Sequence, residues 1–110
     1  MLPASLFSLP LLSADPAAEE IVEVLAEGPD CRIERIISWG QASPAGFWYD
    51  QEEDEWVSLL QGRATLDFGD RTQTLSAGEQ LLIPAHQRHR LTATSAQPPC
   101  IWICVFGRFK

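Results

Sequence analysis

Two histidines and a cluster of acidic residues are the side chains of this chain that could carry out chemistry. His86 and His89 both lie in residues 84–89, and the acidic cluster occupies residues 50–55. Imidazoles and carboxylates bind divalent metals and transfer protons near neutral pH. Because the chain has only two histidines, no site within one chain can hold three imidazoles.

The composition is that of a single globular domain. The chain has 110 residues, of which 45% are hydrophobic and 21% charged, and its net charge is -7. Without a basic stripe it is predicted to bind neither nucleic acid nor an anionic membrane. The three cysteines form no CxxC pair, and their odd number argues against a disulfide framework. Reduced thiols favour a cytoplasmic location.

The first 20 residues differ in character from the rest of the chain. Residues 1–12 are apolar, but they lack a positively charged start and are interrupted by Pro3 and Pro10. This pattern favours an arm lying on the domain over a signal peptide. Asp15 followed by Pro16 is typical of a helix start, so a short helix is predicted within residues 15–20. Residues 21–110 are then predicted to form one domain.

From residue 21 onward the pattern is typical of short strands. Residues 63–68 alternate strictly, with Ala64, Leu66 and Phe68 on one face. Turn signals recur roughly every eight to twelve residues, which indicates an all-β sandwich or barrel. Strands are predicted at residues 21–26, 32–39, 47–49, 55–60, 63–68, 72–75, 80–83, 89–94 and 101–106.

The period of two also places one carboxylate and one imidazole among apolar positions. Glu55 shares a face with Val57 and Leu59, and His89 shares a face with Leu91. If these faces line the interior, both polar groups are buried there. Buried charges are usually paired, hydrogen-bonded or metal-bound. Glu55 and His89 are therefore the main site candidates, and a simple hydrogen-bonded pair is the alternative.

The spacing of these residues resembles the two short motifs of the cupin superfamily. Glu55 and Gly62 match the end of the first motif, and Gly78, Pro84 and His89 fall in register with the second. The resemblance covers roughly residues 46–94. It implies an all-β, cupin-type double-stranded β-helix, or jelly-roll barrel, with a short N-terminal arm or helix.

The resemblance also implies a metal site with substituted ligands. A typical cupin holds one divalent transition metal (Mn, Fe, Ni or Zn) through three histidines and one glutamate. Here Glu55 and His89 would be ligands, and Asp50 or Gln51 would replace a missing histidine. Carboxylates bind Mn or Fe readily, so Asp50 is the better replacement. A metal-free site is the alternative.

The candidates for catalysis and ligand contact surround these positions. His86 stands where the family has a glycine, so it is either a relocated functional group or a loop residue at the barrel mouth. Tyr49 and His86 are the candidate proton donors or ligand-orienting groups. Aromatic residues near Tyr49 could also be simple core packing. The predicted ligand pocket consists of Trp48, Tyr49, Val57, His86 and Leu91.

The sequence therefore predicts a small cupin barrel that binds a divalent metal, a small-molecule ligand, or both, through Glu55 and His89. The ligand would be a small organic acid or a sugar-like molecule. Whether the protein is an enzyme is left open. The alternatives are a metal-free binding or sensing module and a structural protein. A homodimer is expected, joined through the N-terminal arm and residues 101–106.

Overall fold

The computed structural model describes residues 4–109, and within this range the chain forms eight strands and no helix. In that part of the chain, nothing resembles a membrane-crossing helix in length and apolar character. The strands are β1 (Ile21–Glu27), β2 (Arg32–Ser38), β3 (Asp54–Gln61), β4 (Arg63–Asp67), β5 (Thr72–Ser76), β6 (Gln80–Ile83), β7 (Arg90–Thr94) and β8 (Cys100–Gly107).

Two antiparallel sheets of unequal size face each other. The larger has the strand order β1-β2-β8-β3-β6, and the smaller has the order β5-β4-β7. Inward side chains alternate with outward ones along β3 and β4, as expected for sheets with one buried face. The predicted all-β, jelly-roll fold is confirmed. The core between the sheets consists of Val57, Leu59, Ala64, Leu66, Phe68, Leu75, Ile83, Leu91, Cys100, Trp102, Cys104 and Phe106.

Eight of the nine predicted strands are formed, and residues 47–49 are the exception. Only Tyr49 pairs, through an isolated bridge to His89 in which the Tyr49 N–H donates to the His89 carbonyl at 2.7 Å. A turn precedes this segment, closed by the Phe47 N–H and the Pro44 carbonyl at 3.0 Å. The turn and the following acidic loop leave one residue in position to pair.

The helix predicted within residues 15–20 is wrong. Asp15 caps a single turn instead, accepting from the Ala17 N–H on its Oδ1 at 2.9 Å and from the Ala18 N–H on its carbonyl at 3.0 Å. The chain becomes a strand at Ile21, so too few residues remain for a second helical turn. Helices this short are unstable in water unless tertiary packing supports them.

The N-terminal arm lies against the outer face of the larger sheet. Arg35 of β2 is only 1% exposed, and its Nη1 donates to the carbonyls of Leu6 at 3.0 Å and Ser8 at 2.6 Å. Its Nε donates to Glu23 of β1 at 2.5 Å. One buried guanidinium therefore connects the arm to two strands.

Candidate functional site

A cavity of about 380 Å³ opens between the two sheets. Its apolar walls come from both sheets, including Val57 and Ile83 of the larger and Leu66 and Leu91 of the smaller. A volume in this range suits a small organic ligand. The polar residues in the lining are Glu20, Arg32, Glu34, Tyr49, Gln51, Glu55 and His89, together with the Cys104 thiol.

Glu55 projects into the cavity from the start of β3. Its backbone is held on both sides, opposite Ile83 of β6 and Phe106 of β8, and the strand alternation turns its side chain inward. The residue is 9% exposed. Burial raises the pKa of its carboxyl to about 7, against smaller lowering effects of Gln51 and Cys104. The carboxyl is therefore divided between its protonated and ionised forms near neutral pH.

His89 enters the cavity from the segment just before β7. It is 5% exposed, and its Nδ1 lies 2.9 Å from the backbone carbonyl of Gln87. A carbonyl only accepts, so Nδ1 carries the proton and Nε2 is left with a free lone pair. The Tyr49 ring stacks on the imidazole at 5.2 Å. Burial lowers the pKa of His89, so the ring is neutral at pH 7.

The two buried groups face each other without closing a hydrogen bond. His89 Nε2 lies 3.9 Å from Glu55 Oε1, which is beyond hydrogen-bond distance. The structure thus brings together the two residues that the sequence selected, but they do not form the closed pair considered as the alternative. An atom to one side of the line that joins Nε2 and Oε1 could lie within hydrogen-bond distance of both.

Asp50 and His86 lie outside this cavity and pair with each other. Asp50 Oδ1 is 2.8 Å from His86 Nδ1, with side-chain exposures of 52% and 64%. His86 has a φ of 63°, a left-handed conformation that commonly falls to glycine. Its N–H donates to the Gln51 carbonyl at 2.7 Å, which fixes the turn after Pro84. Gln51 itself lines the cavity.

Of the two adjacent aromatic candidates, only Tyr49 reaches the cavity. Tyr49 lines its mouth, and burial, together with the carboxylates of Glu20 and Glu55, raises the pKa of its phenol. Trp48 turns to the other side, as neighbouring residues of an extended chain do. There the guanidinium of Arg88 lies 5.1 Å from its ring. The predicted pocket residues Val57 and Leu91 line the cavity, and Trp48 and His86 do not.

Two further carboxyl groups in the lining were not foreseen from the sequence. Glu20 precedes β1 and hydrogen-bonds the Ser38 hydroxyl, whose oxygen accepts from Trp102 Nε1 at 3.0 Å. Burial raises the pKa of Glu20. Glu34 of β2 accepts from Arg32 Nε at 2.8 Å. The alternation of β2 could have shown that Arg32 and Glu34 share a face, but isoleucines occupy both faces and hide which one is inward.

The donor set for a transition metal is incomplete. Among residues 4–109, no group of three or more His, Cys, Asp or Glu side chains is arranged to hold a metal ion. Catalytic zinc sites, for example, have three protein ligands. Glu55 and His89 supply two donors, and the Gln51 amide is the adjacent oxygen donor in the lining.

Known structures match the chain over nearly its whole length. A protein from Ralstonia eutropha JMP134, described as a "putative mannose-6-phosphate isomerase", is 39% identical, with a TM-score of 0.86 over 99% of this chain and 100% of that one. A cupin superfamily protein from Desulfitobacterium hafniense DCB-2 is 18% identical, with a TM-score of 0.71 over 89% of this chain and 84% of that one.

A more distant match is the Fe(II) form of HppE in complex with substrate. It is 16% identical, with a TM-score of 0.65 over 78% of this chain and 52% of that one, and at this identity it shows the fold alone. No protein of curated function matches the chain. The cupin domain family matches residues 40–106, which include both Glu55 and His89. The chain belongs to the cupin family.

Proposed function

We propose that the protein binds a small molecule inside the barrel, with Glu55 and His89 as its polar anchors. The observation that carries this proposal is their arrangement: both are buried, both face the cavity, and 3.9 Å separates their nearest polar atoms. His89 Nε2 makes no hydrogen bond within residues 4–109, and the neighbours of the Glu55 carboxyl, Cys104 and Gln51, leave some of its oxygen lone pairs open toward the cavity. A ligand between the two side chains would use this remaining hydrogen-bonding capacity.

The pair can both accept and donate hydrogen bonds. His89 Nε2 is an acceptor, and Glu55 accepts when ionised or donates when protonated. A carboxyl with a pKa of about 7 is suited to general acid-base catalysis at neutral pH. Tyr49 at the mouth could orient a ligand or donate a proton, and it is the better placed of the two catalytic candidates because His86 is paired with Asp50 outside the cavity.

The test is ligand binding with matched variants inside and outside the cavity. A panel of polyols, amines, carboxylic acids and sugar phosphates is screened by thermal shift, and hits are measured by calorimetry. We expect Glu55→Gln and His89→Gln to weaken binding at least about tenfold, or ~1.4 kcal/mol. The same changes at exposed positions, Glu52→Gln and His86→Gln, should leave it unchanged. Equal effects of all four substitutions, or no binding from any class, would overturn the proposal.

The name of the Ralstonia protein suggests a sugar phosphate as ligand, and only part of that suggestion suits this cavity. Sugar hydroxyls can hydrogen-bond to Glu55 and His89. The phosphate would bring negative charge beside the carboxyl groups, and the single guanidinium of the lining, Arg32, is already paired with Glu34 at 2.8 Å. The charges of the lining therefore favour a ligand without a phosphate, and equally without a carboxylate.

A divalent transition metal is the second candidate occupant. It is supported by the 3.9 Å gap and by the Gln87 carbonyl, which orients His89 as outer-shell partners orient metal-binding imidazoles. Glu55 and His89 would hold Mn, Fe, Ni or Zn, with Gln51 or a reoriented Asp50 as the third ligand. The metal would supply Lewis-acid chemistry.

Metal analysis of protein purified without chelator tests this second candidate. We expect bound metal and a thermal shift on adding Mn, Fe, Ni or Zn, both lost in His89→Gln and retained in His86→Gln. Less than about a tenth of an equivalent of metal, with no thermal shift, would rule it out.

We further propose a cytoplasmic homodimer that binds neither nucleic acid nor membranes. The acidic net charge of -7 supports the absence of both partners. Exposed apolar side chains support self-association, because soluble monomers seldom expose large apolar patches. They lie on the arm and on the outer face of the larger sheet: Leu6, Phe7, Leu9, Leu11, Leu82 and Phe109. Sedimentation that shows a monomer at every concentration would exclude the dimer.

A further inference from the structure

The lining of the cavity carries an excess of acid. Three carboxyl groups, those of Glu20, Glu34 and Glu55, face it from three different segments. All three line the same cavity as the buried thiol of Cys104.

The single guanidinium of the lining is already engaged. Arg32 Nε lies 2.8 Å from Glu34, its Nη1 lies 3.6 Å from Glu53, and its guanidinium carbon lies 4.3 Å from the centre of the Phe106 ring. Arg32 thus offsets Glu34, and within residues 4–109 neither Glu20 nor Glu55 forms an ion pair with an arginine or lysine.

The buried imidazole adds an acceptor to these carboxyl groups. The side chain of His89 is 6% exposed, and its Nε2 makes no hydrogen bond within residues 4–109. Acceptors toward the cavity are therefore His89 Nε2 and the oxygens of Glu20, Glu55 and Gln51. The uncharged donors are the Tyr49 hydroxyl, the Gln51 amide and the Cys104 thiol, and the one cationic donor, Arg32, is already engaged. Such a lining suits a ligand that brings several protons and a positive charge, which describes an alkylammonium group.

The remaining walls suit the body of such a ligand. Aromatic rings of Tyr49, Trp102 and Phe106 border the cavity, and a cation near an aromatic face is stabilised electrostatically. Aliphatic side chains such as Leu66 and Leu91 complete the apolar surface.

We propose that the ligand of this cavity is an organic amine, with its ammonium group beside Glu55 and His89, Glu20 adding negative charge to the same cavity, and its apolar body against the aromatic and aliphatic walls. This inference rests on the proposed small-molecule binding function and specifies its ligand class. It also predicts that anionic analogues of the same shape are rejected.

Three ligands of equal shape and different charge test the proposal: cyclohexylmethylamine, cyclohexylmethanol and cyclohexanecarboxylic acid. Binding to the full chain is measured by calorimetry at pH 7.5 in the presence of EDTA. We expect the amine to bind at least about tenfold more tightly than the alcohol, and the acid to show no binding. Higher salt should weaken amine binding and leave alcohol binding unchanged.

A matched pair of variants tests whether the negative charge inside the cavity strengthens amine binding. Glu20→Gln keeps a hydrogen-bonding partner for Ser38 and removes one carboxylate, whereas Glu52→Gln removes the same charge at an exposed position. We expect about a tenfold loss of amine binding in the first variant only, with alcohol binding unchanged in both. Circular dichroism and thermal unfolding check that both variants fold.

The outcomes separate this inference from the function on which it rests. If the alcohol or the acid binds as tightly as the amine, the amine class is wrong and small-molecule binding stands. If the amine does not bind at millimolar concentration, the inference also fails, and the wider ligand panel decides the binding function. Equal losses in Glu20→Gln and Glu52→Gln would likewise overturn it.

Discussion

The buried carboxyl of Glu55 makes the stability of the fold depend on pH. Its pKa is about 7 in the folded protein, against an ordinary value of 4.5. Between these values the folded state retains a proton that the unfolded state has lost, so the free energy of unfolding falls as pH rises through this window. The total change is about 3 kcal/mol. His89 acts in the opposite direction below pH 6.5, because its pKa is lowered and protonation favours the unfolded chain.

The variant Glu55→Gln should remove the Glu55 contribution. At pH 8 we expect it to be more stable than the parent by roughly 1–3 kcal/mol, because a buried carboxylate is replaced by a neutral amide. At pH 4.5 the advantage should vanish. Urea unfolding of metal-free protein at several pH values measures the difference, and Glu52→Gln is the control. An advantage of equal size at both pH values would contradict the burial argument.

At this scale the sequence predicted Glu55 and His89 but not their surroundings. The alternation of strands and the motif spacing were enough to place both side chains toward the interior. Asp50 and His86 lie outside the cavity, where they pair with each other beside the left-handed turn at His86. The one signal of this turn in the sequence is that His86 stands where the family has a glycine. Glu20 was not predicted as a site residue because the sequence favours a helix within residues 15–20.

The turn between β3 and β4 packs closely against the start of β8. Gly62 has a φ of 92°, and a Cβ atom there would lie 2.8 Å from Cys100 Sγ and 2.9 Å from Cys100 Cα. Gly78 has nearly the same φ, 91°, but a Cβ atom there would meet nothing within 4 Å. Alanine substitutions at the two glycines can therefore be compared to distinguish the cost of backbone strain from the cost of steric overlap.

We expect Gly78→Ala to destabilise the protein by about 1 kcal/mol, the usual cost of placing alanine in this conformation. Gly62→Ala should cost about 1–3 kcal/mol more, because the overlap forces β8 to shift. Equilibrium unfolding in urea compares the two variants with the parent. Equal losses would show that the backbone relaxes away from Cys100.

At the scale of elements, the strand-like patterns in the sequence predicted eight strands correctly. The prediction failed at the ninth, where strand formation depends on a partner distant in the sequence. Residues 47–49 have the aromatic content of a strand, yet a single residue reaches His89. Asp15 does cap a turn, but the chain pairs as strand β1 from Ile21 onward, so the turn does not continue into a helix. Local signals thus identified where elements begin, and tertiary pairing decided how long they became.

At the scale of the whole molecule, Arg35 binds the first part of the N-terminal arm to the larger sheet. We expect Arg35→Met to release the arm, because the carbonyls of Leu6 and Ser8 lose their donor and Glu23 loses its partner. Breaking a buried pair costs about 3–5 kcal/mol. Chymotrypsin should then cleave within residues 6–11 at least about tenfold faster than in the parent. Arg71→Met, at an exposed position, is the control, and unchanged cleavage would contradict this role of Arg35.

The reactivity of the two thiols of β8 reports whether the barrel has opened. Cys100 and Cys104 are buried on a strand that pairs with both β2 and β3, whereas Cys31 is exposed. An alkylating reagent should therefore modify Cys31 at once and the other two only when the barrel parts. Cys104 borders the cavity and Cys100 lies behind the Gly62 turn. Protection of Cys104 that increases with ligand while that of Cys100 does not would distinguish occupancy of the barrel from general tightening of the fold.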